Sequence, residues 1–319
     1  MGLDIEPLEP SAPCAALVSR GLLDIWDADR AVTSWHSFQR LSEQLERRPG
    51  PSAHRPQWLY RGEGGFSHDL CTSLEKVAQQ HGIPLLSLYE GRIEQGIIRR
   101  FKREYSRHSI HVPPENDHIS WLATMQHHGA PTRLLDITYS AYVALYFALW
   151  QCSAGRDAAL WCFNADWLND GWDQDAPDGY QEEYDRDTDG RYLSLYQIVL
   201  GHTRPKVYAI NPYHLPERLI LQQGGFLLPL DITRSFMDNV GSMPIDPVGR
   251  RGRRTFTARV LKIRLRFDQV EMEEARYRLL RMNVNEATLF PGLDGFALSL
   301  RDRIVFPEQC HGKRKGFEP

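Results

Sequence analysis

Apolar residues recur at helical spacing through Trp35, Phe38, Leu41 and Leu45, and Ser34 stands where it can cap the helix they predict. Arg47, Arg48, Pro49, Gly50 and Pro51 end that helix. The next run, 57–62, is short, rich in strand formers and stopped by Gly62, Gly64 and Gly65. Its alternation puts Leu59 and Arg61 on one face and Trp58 and Tyr60 on the other. A helical pattern covers 85–106, and its Arg and Lys residues outnumber Glu94 and Glu104, so one face should be positive. Residues 119–126 predict a helix stopped at His127, His128 and Gly129, with Pro131 forcing an extended link. Asp136, Thr138 and Ser140 are cap candidates for the run 141–150, which is apolar on nearly every side and therefore buried. Strands are expected at 158–164, 206–210 and 222–230. In 262–267 a strict alternation predicts a strand with its basic side chains outward. An amphipathic helix at 271–282 and a turn at 289–296 leading into a short helix complete the pattern.

Composition sharpens this in three places. At 319 residues with 42% apolar content, the chain can form one large domain or a domain with an elaborated subdomain. The net charge of -3 argues against a uniformly basic nucleic-acid binder, yet the charge is segregated. Ten acids stand against Arg186 alone in 166–189, read as a solvated insertion at about 166–190, while 250–266 carries eight basic residues and no acid. Five scattered cysteines without a CxxC pair indicate neither a disulfide framework nor a zinc module. The acidic, proline-bearing start and the lack of a run of about 20 apolar residues predict a cytoplasmic protein that does not enter membranes. The expected organisation is an N-terminal extension at 1–33, one domain at 34–300 and a basic tail at 301–319.

Tyr60-Arg61-Gly62, the run from Gln126 through His127, His128, Gly129, Pro131, Thr132 and Arg133 to Asp136, the following Ala144 to Ala148 helix, Gln223-Gly224-Gly225-Phe226 and the 289–295 turn resemble, in that order, the FRG domain family. The resemblance spans about residues 34–300; it departs from the family at Ile137, where an aromatic is usual, and in the acidic insertion. The family name describes a sequence pattern and carries no activity of its own. A more distant resemblance is to ADP-ribosyltransferases of the arginine-serine-glutamate type. There an early strand ends in a Tyr-Arg-Gly-like element, a Ser/Thr-bearing strand leads into a helix, and a glutamate comes late. Tyr60, Arg61 and Gly62, then Thr138, then Gln222 and Gln223 follow that order, although the serine and the glutamate are unmatched.

This resemblance implies an α+β fold with a split, strongly bent mixed or antiparallel sheet flanked by helices. It also implies NAD as co-substrate, a macromolecular acceptor (nucleic acid, RNA among them, ahead of protein) and no metal. Such activity suits a bacterial toxin or defence effector held by a neutralising antitoxin. Arg61 is suited to grip a phosphate or ribose hydroxyl, with Gly62 letting a ligand approach; alternatively Arg61 pairs with Asp136 inside the fold. His127 or His128 serves as donor or general base, or makes a structural hydrogen bond. Thr132, Arg133, Asp136 and Thr138 gather hydroxyls, donors and a carboxylate at a helix start, where phosphates bind and where caps also form. Tyr60 is expected among the cofactor-binding residues, and Tyr139, Tyr146 and Phe147 are either stacking partners for nicotinamide or core residues. Gln222 and Gln223 occupy the region of the catalytic glutamate, with Gln223 the candidate catalytic residue; an amide there can bind a hydroxyl but cannot act as a base. Arg99, Arg100, Arg103, Arg251, Arg254 and Arg264 are either phosphate contacts for a nucleic acid or solvated charges. Two rival readings stand beside the transferase: a non-catalytic nucleic-acid- or protein-binding module, and a metal-dependent nuclease using His127, His128 and Asp136.

Overall fold

A computed structural model describes residues 10–47, 57–109, 112–115, 117–150, 152, 155–169, 205–212, 216–246, 248–249, 252–253 and 258–306. The acidic stretch beyond residue 169, Arg251, Arg254 and the tail beyond 306 lie outside the described residues.

The strands, in chain order, are β1 (Leu23–Trp26), β2 (Trp58–Glu63), β3 (Leu135–Thr138), β4 (Ala158–Asn164), β5 (Val207–Ile210), β6 (Gly224–Pro229), β7 (Val248–Gly249), β8 (Gly252–Arg253) and β9 (Val260–Leu265). Seven of them form one sheet in the order β1-β9-β4-β2-β3-β6-β5, and β7 and β8 make a small separate ribbon. β1 runs parallel to β9 and every other neighbour is antiparallel, so the sheet is mixed. With helices on both faces it is the expected α+β architecture.

The sheet is continuous but has one narrow seam. β2 and β4 share six register pairs and β3 and β6 share four, whereas β2 and β3 meet only at Tyr60 and Thr138. Beyond that pair the two strands diverge and leave backbone groups without a ladder partner. Arg61 Nη1 reaches across and donates to the Asp136 carbonyl at 2.7 Å.

Two apolar layers sandwich the sheet. One face carries helices Trp35–Glu46, Ala141–Trp150 and Gln269–Arg281, which bury Phe38, Leu145, Ala148 and Ala275 against Tyr60, Cys162 and Ile263. Ser34 caps the first of these with a reciprocal Ser37 box, as its spacing predicts. The other face buries Leu17, Phe236 and Trp167 against Leu59, Trp161 and Phe163. A third cluster joins Ile119, Leu122 and Met125 to Tyr208, Phe226 and Leu228, extending the core beneath β5 and β6.

Three expectations change. Residues 12–26, set apart as an extension, form helix Ala12–Ser19 and edge strand β1, whose pairing with β9 makes them part of the sheet. The 85–106 pattern is two helices, Leu85–Glu90 and Ile93–Tyr105, because Gly91 caps the first and Arg92 takes a left-handed φ of 49°. Lys262 and Arg264 do not face solvent. β9 lies inside the sheet between β1 and β4, so both its faces are covered. Arg264 is 0% exposed, ion-paired to Asp27 at 2.8 Å and Asp157 at 3.4 Å, with its guanidinium over Phe66. Lys262 sits over Trp161 and Phe66 and donates to the His68 carbonyl, and burial pulls its pKa down. A buried, paired guanidinium cannot also neutralise a phosphate, so Arg264 is removed from any nucleic-acid surface.

Candidate functional site

The divergence of β2 from β3 opens a cleft of about 300 Å³. Its polar lining comes from Arg61, Gln126, His127, Asp136, Arg218 and Gln222. Its apolar lining includes Phe147, Trp150, Phe226 and Phe290. Phe290 meets Phe147 edge-on at 6.1 Å and lies 5.7 Å from Trp150, so the wall is a locked aromatic cluster.

Each residue of the Tyr-Arg-Gly element has a separate task, set by the period of two along β2. Tyr60 is buried in the core beneath helix Ala141–Trp150. On the same face, a Cβ at Gly62 would stand 1.9 Å from the Ala144 carbonyl oxygen, so this glycine is required for helix-to-sheet contact, and both it and Tyr60 also border the cleft. Arg61, on the opposite face, has a 24% exposed side chain whose Nε donates to Glu63 at 2.7 Å. With Nη1 on the Asp136 carbonyl, its fork is held in place while part of it remains open to the cleft. Its bond to residue 136 therefore goes to the main chain, not the carboxylate.

Asp136 is exposed on β3, and Gln126 orients it: the Gln126 Nε2 group donates to Asp136 Oδ1 at 3.2 Å and to the Leu134 carbonyl at 3.3 Å. Gln126 is itself fixed through its Oε1, which accepts from Thr132 Oγ1 and from Ser73 Oγ. Thr132 is fully buried and serves this network, not a ligand. Arg133 is likewise internal. It makes a bidentate pair with Glu94, the two side chains being 3% and 5% exposed, and donates to the Leu230 carbonyl at 3.1 Å. The cofactor role expected of Arg133 is thereby replaced by a structural one, because a charge buried that deeply must be spent on its partner.

His127 ends helix His118–His127 and lines the cleft, whereas His128 lines a neighbouring groove. Their rings meet edge-on at 4.9 Å and serve different surfaces. Burial, then the nearby His128 and Arg218 charges, lower the pKa of His127, so its imidazole is neutral at physiological pH and able to accept a proton. Among the described residues, no three His, Cys, Asp or Glu side chains gather closely enough to hold a metal ion.

Thr138 lines the cleft, with its hydroxyl donating to the Gln222 carbonyl at 2.7 Å and accepting from Ser140 N. Gln222 then donates to the Leu289 carbonyl and completes the wall. Gln223, the residue expected there, is exposed and outside the lining. It occupies the left-handed turn (φ 46°) into β6, which displaces its side chain from the direction of its neighbour. Tyr139 accepts a hydrogen bond from Asn211 Nδ2 at 2.8 Å and packs in the core rather than in the cleft. Tyr146 is buried beside Glu286, and burial and that carboxylate raise its pKa. It borders a second cavity behind the Trp150 wall instead of the cleft. Glu286 borders that second cavity too, and Glu217 is exposed, so Asp136 is the one carboxylate lining the cleft among the described residues.

Sequence reasoning missed Arg218 and the Phe290 wall, and it assigned Gln126 no role of its own. Arg218 stands in helix Glu217–Leu221 with its guanidinium 4.7 Å from the Phe290 ring centroid. No motif surrounds it. Gln126, by contrast, opened the most distinctive run in the chain, and its fixed distance from Asp136 was a usable signal.

No curated protein and no solved structure matches the chain. The FRG domain family model matches residues 56–156. That segment holds β2, Arg61, Gln126, His127, Asp136 and helix Ala141–Trp150, and it leaves outside the 34–55 and 157–300 portions of the broader span expected from sequence. Arg61, Gln126, His127 and Asp136 of the cleft thus lie in the segment that is similar to the FRG domain family, whereas Arg218, Gln222 and Phe290 reach the cleft from outside it.

Proposed function

We propose that the cleft binds NAD and that the protein transfers ADP-ribose from it to a macromolecular acceptor. The observation that carries this reading is the position of Arg61 at the seam between β2 and β3, facing Thr138 and Asp136 across an opening walled by aromatic rings. Two guanidinium groups, Arg61 and Arg218, suit a pyrophosphate, and the Phe147, Trp150 and Phe290 wall suits a planar ring. Asp136, kept in one orientation by Gln126, suits a ribose hydroxyl and the positive charge that develops at its anomeric carbon.

In the proposed reaction the bond between ribose C1′ and the pyridinium nitrogen breaks, and its electron pair leaves with neutral nicotinamide. A lone pair of the acceptor forms the new bond to C1′. The acceptor's proton passes to the neutral His127 imidazole or to the Asp136 carboxylate, and then to water. His127, Asp136 and Arg218 are the residues on which this chemistry depends, with Gln126 holding Asp136 in place.

Labelled NAD incubated with the protein and a cell lysate tests the reading. Label should enter macromolecules, and Asp136→Asn should reduce the rate by about 10²- to 10⁴-fold while leaving the thermal transition in place. Transfer that is absent, or that is indifferent to Asp136→Asn, removes it.

A further inference from the structure

We propose that the groove adjoining the cleft binds single-stranded nucleic acid. Its use as the transfer acceptor rests on the reading above; the binding does not. The groove, about 820 Å³, is lined by Ile97, Arg100, Phe101, Tyr105, His108 and His128 among others.

Three features of the groove fit this ligand. The first is a run of aromatic faces. The Phe101 and Tyr105 rings lie 5.3 Å apart, the Tyr105 and His128 rings 6.3 Å apart, and Trp121 braces Tyr105 edge-on from behind. Rings that are half-buried and anchored at one edge offer stacking surfaces to unpaired bases, which a duplex keeps hidden in its own stack.

The second is charge. Residues 92–108 carry Arg92, Arg99, Arg100, Lys102, Arg103 and Arg107 against Glu94 and Glu104. Glu94 is withdrawn into the core by Arg133, which leaves Glu104 as the single acid of this stretch at the surface. Arg100 lines the groove, in an exposed ion pair with Glu104 at 3.3 Å, and Arg99, Arg103 and Arg107 are exposed on other faces of the same helix and its end, so the helix that walls the groove is net positive although the chain as a whole is slightly acidic.

The third is continuity. His127 belongs to the cleft and His128 to the groove, and their rings are in edge contact. A strand laid in the groove is one imidazole away from the cleft, and the stacked base next to His128 is the one positioned for entry.

Fluorescence anisotropy without NAD tests this, using labelled RNA and DNA strands of about 12 nucleotides and the matching duplex, between about 50 and 200 mM salt. Single strands of either sugar should bind more tightly than the duplex. Arg100→Gln with Arg107→Gln, on one side of the helix, should lower the salt slope by about 1.4, about 0.7 for each cation lost. His128→Ala, an exposed substitution with no folding consequence, should weaken binding by roughly 5- to 150-fold. Tyr105→Leu should act in the same direction, with its thermal transition measured alongside because Tyr105 also packs on Trp121. Absence of single-strand binding at the lowest salt, preference for duplex, or affinity unmoved by His128→Ala overturns the proposal. So does a change of oligomeric state in the same variants, which would make the groove an interface between copies of the chain. Because NAD is left out, single-strand binding without transfer would count against the transferase reading alone.

Discussion

Replacing Arg133 by Met separates a structural arginine from a ligand-binding one. Arg133 and Glu94 are 3% and 5% exposed, and their bidentate pair ties the segment leading into β3 to helix Ile93–Tyr105. Arg133→Met leaves the Glu94 carboxylate buried and unpaired, at a cost of about 3–5 kcal/mol. It also frees the Leu230 carbonyl, adding about 1 kcal/mol. A total of about 4–6 kcal/mol is roughly a quarter or more of a stability of about 5–15 kcal/mol. At about 2–4 °C per kcal/mol, Tm should fall by roughly 8–24 °C. Urea titration followed by circular dichroism should show a matching drop in the midpoint with an unchanged slope. The double variant Glu94→Leu with Arg133→Met removes both charges and should recover most of the loss. An unchanged midpoint for Arg133→Met, together with lost affinity for NAD, would refute the reasoning and return Arg133 to the ligand site.

Further outcomes follow from the same structure. Gly62→Ala should cost about 3 kcal/mol or more, read as a fall in Tm or as insoluble expression, because its Cβ meets the Ala144 carbonyl. Asp302 titrates at about 6, raised by burial and by Glu286, so its stabilising contribution is present at low pH and is lost as pH rises through about 6. Asp302→Asn should therefore raise Tm by about 2 °C or more near pH 7.5 and leave it unchanged near pH 4, as followed by scanning calorimetry. If His127 accepts the acceptor's proton, the acid limb of kcat/KM lies below the ordinary imidazole value, and Arg218→Gln should shift it upward.

The sequence made most of the fold legible because its elements carry strong local signals. The Ser34 cap, the wholly apolar 141–150 run and the all-buried 158–164 strand needed no tertiary context. Lys262 and Arg264 show where that reasoning stops. Alternation says which side chains share a face, but only the neighbours, here β1 with the Asp27 and Phe66 segments, decide whether the face is wet. At the site, Arg61, His127, Asp136 and Thr138 come together as their shared motifs suggested. Thr132, Arg133, Tyr139 and Tyr146 sit in the same short stretches but turn inward. The one-residue exchange of Gln223 for Gln222 depends on a left-handed turn residue that glycine counting does not reveal. Arg218 and Phe290 reach the cleft from segments far along the chain; nothing local marks Arg218, and the 289–295 turn singled out Phe290's segment without showing that its ring walls the cleft.

The central claim is that the opening between β2 and β3 is a dinucleotide site. Calorimetric titration of NAD into the protein, and into Arg218→Gln and Phe290→Ala variants, tests it most directly. The wild-type protein should bind one NAD per chain. Each substitution should weaken binding by about 1–3 kcal/mol, Arg218→Gln through the lost phosphate contact and Phe290→Ala through the lost ring wall. No heat of binding from the folded wild-type protein, or equal affinity in all three, would contradict it.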